Sequence, residues 1–172
     1  MRTKIFTICF LFILFSDDGI SQSFKSISKE ISKCEFRTGL KKVKKDTFYI
    51  IREKLYSIEK LDFIAKSDTL FLIESYSFEN GDYYGLIWNT LDQLGYVYNN
   101  GIFRFDVDKV YTDYTCKLVQ DWDTTSIRKE EELNSSMMNP RNIYAKRVVK
   151  RNGNVEVECI KFKEFFLLNR DR

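Results

Sequence analysis

The stretch YVYNNGIFRF, residues 96–105, decides the fold of this chain. Its centre is Asn100-Gly101, and an Asn-Gly pair between two alternating runs is the strongest short-range signal for a β-hairpin. The reason is that both central residues of a type I′ turn need positive φ. Because side chains alternate between the faces of a strand, the predicted register places four aromatic rings on one face. Those rings belong to Tyr96, Tyr98, Phe103 and Phe105.

The aromatic face of this hairpin admits two interpretations. A row of rings on one side of a strand is typical of a surface that packs into a core. Tyrosine phenols also suit a half-exposed surface, so Tyr96 and Tyr98 are candidate ligand-binding residues on which a sugar ring or a partner protein could stack. Trp122 is a third candidate, because it lies between two acids, where it could stack a sugar.

The N-terminus has the pattern of a secretory signal peptide. A charged start precedes an apolar run over residues 5–15, well short of the about 20 residues that a membrane-spanning helix needs. Small residues precede Gln22, where a signal peptidase would cut. We therefore expect residues 1–21 to be a signal peptide, the protein to be exported to the periplasm or beyond, and no stable membrane span after cleavage.

Residues 22–172 are predicted to form a single β-rich domain. The whole chain contains one proline and has no Pro- or Gly-rich linker. Two more Asn-Gly pairs, at 80–81 and 152–153, repeat the hairpin signal. We expect a mainly β fold, α+β at the margin: an antiparallel meander or partly closed barrel of about seven to nine strands with one or two short helices.

The last of these Asn-Gly turns fixes a register for the hairpin around it. It places Val148 opposite Val157 and Arg147 opposite Glu158. An apolar pair and an opposite-charge pair both stabilise an antiparallel ladder. The C-terminal part of the chain is therefore predicted to end in a long hairpin.

Other segments are assigned from periodicity and composition. Residues 23–34 and 123–138 are predicted helices, because apolar residues recur there at helical spacing. Residues 47–51 and 110–119 are predicted strands. Residues 55–66 fit either a strand or a helix, and the clear strand that follows favours a strand.

The cysteines indicate a disulfide. One of the four cysteines lies in the predicted signal peptide, which leaves Cys34, Cys116 and Cys159. Export to an oxidising compartment favours a disulfide, and an odd count leaves one thiol over. Cys116 and Cys159 both lie in predicted strands, so we favour that pair, with three buried free thiols as the alternative.

The absence of histidine from the sequence excludes several chemistries. Ser-His-Asp and Cys-His catalysis need a histidine, and so do histidine-ligated zinc sites. There is no Gly-rich phosphate loop and no CxxC pair, so we expect neither a metal nor a cofactor. A net charge of +3 argues against a dedicated nucleic-acid-binding protein.

Carboxylate chemistry remains open. Asp106 and Asp108 share one face of the strand predicted to continue from the hairpin, about 6.6 Å apart. That is inside the about 6.5–9.5 Å separation of the acids in inverting glycosidases. Asp121 and Asp123 flank Trp122. A solvent-exposed face is the simpler interpretation of both pairs, and no EF-hand-like loop indicates calcium.

Two functional hypotheses follow. The favoured one is an exported, non-catalytic binding or structural module of the cell envelope, with an unknown protein or glycan as its partner. It is based on the aromatic β-surface and on the lack of catalytic residues. The alternative is a carboxylate-dependent glycan hydrolase that uses either the Asp106/Asp108 pair or the Asp121/Asp123 pair.

Overall fold

A computed structural model describes residues 25–35, 42–58, 62–77, 79–105, 111–133 and 141–163. The described helices are α1 (residues 25–35), α2 (Lys42–Ile58), α3 (Asp62–Lys66), α4 (Asp113–Gln120) and α5 (Thr124–Leu133). The strands are β1 (Thr69–Tyr76), β2 (Tyr83–Trp88), β3 (Gln93–Asn99), β4 (Ile102–Phe105), β5 (Asn142–Arg151) and β6 (Asn154–Lys163). The predicted signal peptide lies outside the described residues.

The strands form one open antiparallel sheet in the order β4-β3-β2-β1-β5-β6. The first four strands make a meander, and the β5–β6 hairpin returns to the free side of β1 after α4 and α5. The predicted antiparallel sheet is therefore confirmed. The prediction of seven to nine strands and of a partly closed barrel is wrong, because the described residues form six strands with β4 and β6 at opposite edges. The prediction of one or two short helices is also wrong, since the described residues form five helices.

The Asn-Gly hairpins form in the predicted registers. Asn100 and Gly101 have φ angles of 47° and 89°, as a type I′ turn requires. Tyr96 pairs with Phe105 and Tyr98 with Phe103. In the last hairpin the Val148–Val157 and Arg147–Glu158 pairs are present as well.

Helices replace three of the predicted strands. Residues 47–51 belong to α2. Of residues 55–66, those described at 55–58 lie in α2 and those at 62–66 in α3, and residues 113–119 belong to α4. The buried residues of α2 recur at helical spacing as Phe48, Ile51, Arg52 and Leu55. Because Arg52 is charged, the sequence alone does not show this as an apolar stripe. At α4 the Thr112 side chain accepts a hydrogen bond from the Thr115 backbone N–H, which is an N-cap. The helices predicted at 23–34 and 123–138 are confirmed over the described residues of α1 and α5, and residues 23–24 and 134–138 lie outside them.

Both faces of the sheet are covered by helices. On one face α1, α2 and α3 pack on Leu70, Leu72 and Ile87; we call these helices the first layer. On the other face α4 and α5 pack on Phe71 and Ile73; they are the second layer. The aromatic face of the central hairpin lies under the first layer. No helix in the described parts of the chain has the length and apolarity that a membrane span requires.

Candidate functional site

Four charged side chains meet in the core under the first layer, and we call them the buried quartet. They are Glu35 on α1, Arg52 on α2, Glu74 on β1 and Lys146 on β5, each at most 1% exposed. Arg52 Nη2 donates to both Glu35 oxygens at 2.9 Å, and Arg52 Nε donates to Glu74 Oε1 at 3.0 Å. Lys146 Nζ lies 2.9 Å from Glu35 Oε1 and also donates to Glu74. Two cations and two anions therefore compensate one another away from water.

Two members of the quartet, Glu35 and Arg52, are held in their ionised forms by their neighbours. Burial alone would raise the pKa of the Glu35 carboxyl, but the charges of Arg52 and Lys146 outweigh it and hold that pKa below its usual value. Burial would likewise lower the pKa of Arg52, yet the two carboxylates raise it. Side chains that pair with one another and are at most 1% exposed cannot meet a ligand from solvent. The quartet is therefore a structural element.

Tyr96 on β3 contacts the buried quartet through a hydrogen bond to Glu74. Its hydroxyl donates to Glu74 Oε1 at 3.1 Å, and its ring lies across Gly85, which is its partner in the neighbouring strand. A Cβ added to Gly85 would stand 2.2 Å from the Tyr96 Cζ atom. Burial, and then the charge of Glu74, raises the pKa of the Tyr96 phenol well above its usual value. Tyr96 is 0% exposed, so this predicted ligand-binding residue has no surface to offer.

Tyr98 lies two residues further along β3 on the same face and is half-buried. Its hydroxyl accepts a hydrogen bond from Lys54 Nζ at 3.3 Å, and its ring centroid is 4.8 Å from that of Phe103. Of the two tyrosines proposed from the sequence, only Tyr98 therefore has an edge that a ligand could reach. That edge is flanked by Lys54 of α2.

A disulfide lies beside the buried quartet. It joins Cys34 on α1 to Cys159 on β6, with the two Cα atoms 5.9 Å apart. The predicted Cys116–Cys159 pair is therefore wrong. Cys116 is on α4 and packs with the second layer, on the opposite face of the sheet. Burial, followed by the charge of Asp113, raises the pKa of the Cys116 thiol to about 11, so this thiol is a poor nucleophile.

An open cleft of about 530 Å³ lies where α4 meets α5 beside β6. We call it the Trp122 cleft. Its walls include Trp122, Thr124, Thr125, Arg128, Glu158 and Ile160. It combines one large aromatic ring with several hydrogen-bonding side chains, and these come from three different elements. That composition is typical of a binding surface.

Trp122 holds an unusual backbone position at this cleft. Its N–H donates to Val119 O, and the N–H of Asp123 donates to Leu118 O, both at 3.1 Å. This is the Schellman arrangement that ends a helix, in which the left-handed residue is usually glycine. Trp122 occupies it with a φ of 51°, although left-handed backbone costs an L-residue roughly 1–2 kcal/mol.

The Trp122 ring is held from one side. It packs on the second-layer core, and the guanidinium of Arg147 lies 5.3 Å from its centroid. Arg147 is paired in turn with Glu158 across the β5–β6 hairpin. A bulky residue is therefore kept in a strained backbone position beside an open cleft.

Of the predicted acids, the two that the structure describes, Asp121 and Asp123, do not line this cleft. Asp123 caps α5, because its Oδ1 accepts a hydrogen bond from the Ser126 N–H at 2.9 Å. Hydrogen bonds from Ser126 hold the pKa of Asp123 below its usual value, which is unfavourable for a general acid. Asp121 is exposed and does not line the cleft, and Asp106 and Asp108 lie outside the described residues. Within the described part of the chain, no group of three or more acidic or cysteine side chains could hold a metal ion.

Comparison with known proteins found no similar protein. No family model matches the sequence, and no curated protein or solved structure shows a significant similarity to it. Any assignment of function therefore depends on the chemistry of the residues themselves.

Proposed function

We propose that this protein is an exported, non-catalytic binding module of the cell envelope, and that the Trp122 cleft is its glycan-binding surface. The observation that carries the proposal is the tryptophan in a backbone position that glycine normally occupies. Glycine there would relieve the backbone strain. A contact that the protein makes through the Trp122 ring therefore best explains why this position holds tryptophan and not glycine.

The composition of the cleft suits a sugar. The apolar face of a sugar ring can pack on the indole ring, as large amphipathic aromatic side chains allow. Thr124 and Thr125 offer hydroxyls that both donate and accept, Arg128 offers N–H donors and Glu158 offers acceptors. An open cleft leaves both ends of a bound chain free, so it suits a polysaccharide better than a small molecule, which is normally enclosed.

Export is supported by two independent features of the chain. The first 21 residues have the pattern of a signal peptide. The Cys34–Cys159 disulfide is of a kind that persists in oxidising compartments and is rare in the cytosol. Together they favour the periplasm or the cell surface, where polysaccharides are abundant ligands.

The test is glycan binding by the exported chain, measured on an array and then by calorimetry with any polysaccharide that binds. Trp122→Ala should weaken binding at least about tenfold, or about 1.4 kcal/mol. Trp122→Gly is the matched variant, because it also removes the ring but relieves the backbone strain. Both variants should lose binding to a similar extent while their stabilities move apart.

The outcomes separate the two functional hypotheses. Undiminished binding in both Trp122 variants would refute the assignment of the cleft. Release of new reducing ends from a bound polysaccharide would indicate a hydrolase instead. In that case Asp→Asn substitutions at 106, 108, 121 and 123 would show which acids are responsible.

A further inference from the structure

A small enclosed cavity lies beside the buried quartet, between α1 and the sheet. Its volume is about 20 Å³. Most of its wall is apolar and comes from Ile27, Ile31, Leu72, Ile87 and Val148. Two polar side chains, Ser28 and Arg52, also line it, and each is only 1% exposed.

Both of these polar side chains have an unused hydrogen-bonding atom. Ser28 Oγ and Arg52 Nη1 are buried and have no hydrogen-bond partner among the described residues. The other nitrogens of the guanidinium are occupied, since Nε and Nη2 donate to Glu74 and Glu35. Buried polar groups are normally paired, with protein or with an internal water molecule. The two residues that carry these unpaired atoms line the same cavity.

The size of the cavity limits its occupant. A cavity needs a volume of roughly 10–15 Å³ to hold one water molecule. About 20 Å³ is therefore enough for one water molecule and too little for two, or for any ligand larger than water.

The charge around the cavity decides between water and a monatomic anion. The quartet already carries two positive and two negative side chains in direct contact. A halide would add an uncompensated negative charge to a dry interior, which is strongly unfavourable. A neutral molecule that both accepts and donates a hydrogen bond satisfies the two free atoms without that penalty.

We propose that this cavity holds a single structural water molecule, which accepts a hydrogen bond from Arg52 Nη1 and donates one to Ser28 Oγ. Through it α1 gains a second polar link to Arg52, in addition to the direct Glu35 contact. The water molecule thereby becomes a fifth member of the buried network.

The experiment uses the full chain, with the disulfide intact. Water-selective NOE and ROE spectra should show contacts between a slowly exchanging water molecule and the Arg52 side-chain protons. The amplitude of oxygen-17 relaxation dispersion should include one long-lived water molecule that disappears in Ser28→Val, where the added methyl group fills the cavity. Ser26→Val is the matched control, because Ser26 is exposed on the same helix, and it should keep the full amplitude.

Each outcome bears on the proposal. Wild-type spectra without a water contact at Arg52 would overturn it, and this measurement does not depend on whether the variant folds. An unchanged amplitude in a folded Ser28→Val protein would also overturn it, because the long-lived water would then lie elsewhere. Chloride-35 line broadening that is lost in Ser28→Val, without a water signal, would assign the cavity to an anion and likewise contradict it.

Discussion

Gly85 is the position where a single methyl group should do the most damage to the core. The Cβ of Gly85→Ala would stand 2.2 Å from Tyr96 Cζ and 2.4 Å from its hydroxyl oxygen. Carbon atoms in contact prefer about 3.5–4 Å, so the ring must retreat by more than about 1 Å. Because the ring is completely buried, that movement displaces its neighbours and breaks the hydrogen bond to Glu74.

The expected cost follows from these two effects. Overpacking of a core costs typically about 1–3 kcal/mol, and a lost hydrogen bond to a charged group adds about 1.5–3 kcal/mol. Alanine recovers about 0.5–1 kcal/mol over glycine in a strand. We therefore expect Gly85→Ala to lower the free energy of unfolding by about 1.5–5.5 kcal/mol.

A double-mutant cycle in urea provides the assay. In a Tyr96→Ala background there is no ring for the new Cβ at position 85 to clash with. Gly85→Ala should therefore be neutral there, or should stabilise the fold by up to about 1 kcal/mol. The change of sign identifies the ring as the cause. An equal loss of stability from Gly85→Ala in both backgrounds would refute the reasoning and place the defect in the backbone of β2.

Three further predictions concern the disulfide, the quartet and the free thiol. Reduction of the Cys34–Cys159 bond, which spans 125 residues, should lower the free energy of unfolding by about 2–5 kcal/mol; an unchanged urea midpoint in reductant would contradict this. The pKa of Glu35 is lower in the folded chain than in the unfolded one, so its stabilisation is present above the unfolded pKa and is lost as pH falls through the folded pKa. Glu35→Gln should therefore flatten the acid side of a stability–pH curve, and an unaltered acid slope would contradict the assignment. At pH 8 the thiol of Cys116, with a pKa of about 11, should react with iodoacetamide roughly a hundredfold more slowly than in denaturant, which mass spectrometry can follow against time.

The hairpins could be predicted because their signal is local. An Asn-Gly pair and the alternation around it determine the turn and the register within ten residues, and the structure reproduces both at Asn100 and Asn152. The strand assignment of residues 47–51 failed for the opposite reason. Those residues favour a strand by composition, but tertiary packing selects the helical stripe that includes the charged Arg52.

The quartet and the cleft escaped prediction because their members are distant in sequence. The residues next to Glu74 and Lys146 in the sequence do not indicate that both lie in the core. Their charges can be buried because they pair with each other in the folded chain. Trp122 was identified from its own chemistry, whereas Arg128 and Glu158 join it only after α5 and β6 are placed. A bridge from Cys34 similarly depends on knowing which face of the sheet α1 covers.

The bond between Cys34 and Cys159 has a mechanical consequence. It joins the first described helix to the last described strand, so almost all of the described chain lies inside one covalent ring. Tension applied at the two ends would pass through the sulfur atoms and spare the strands between them. A protease that nicks any loop inside the ring would leave the two fragments tethered to each other.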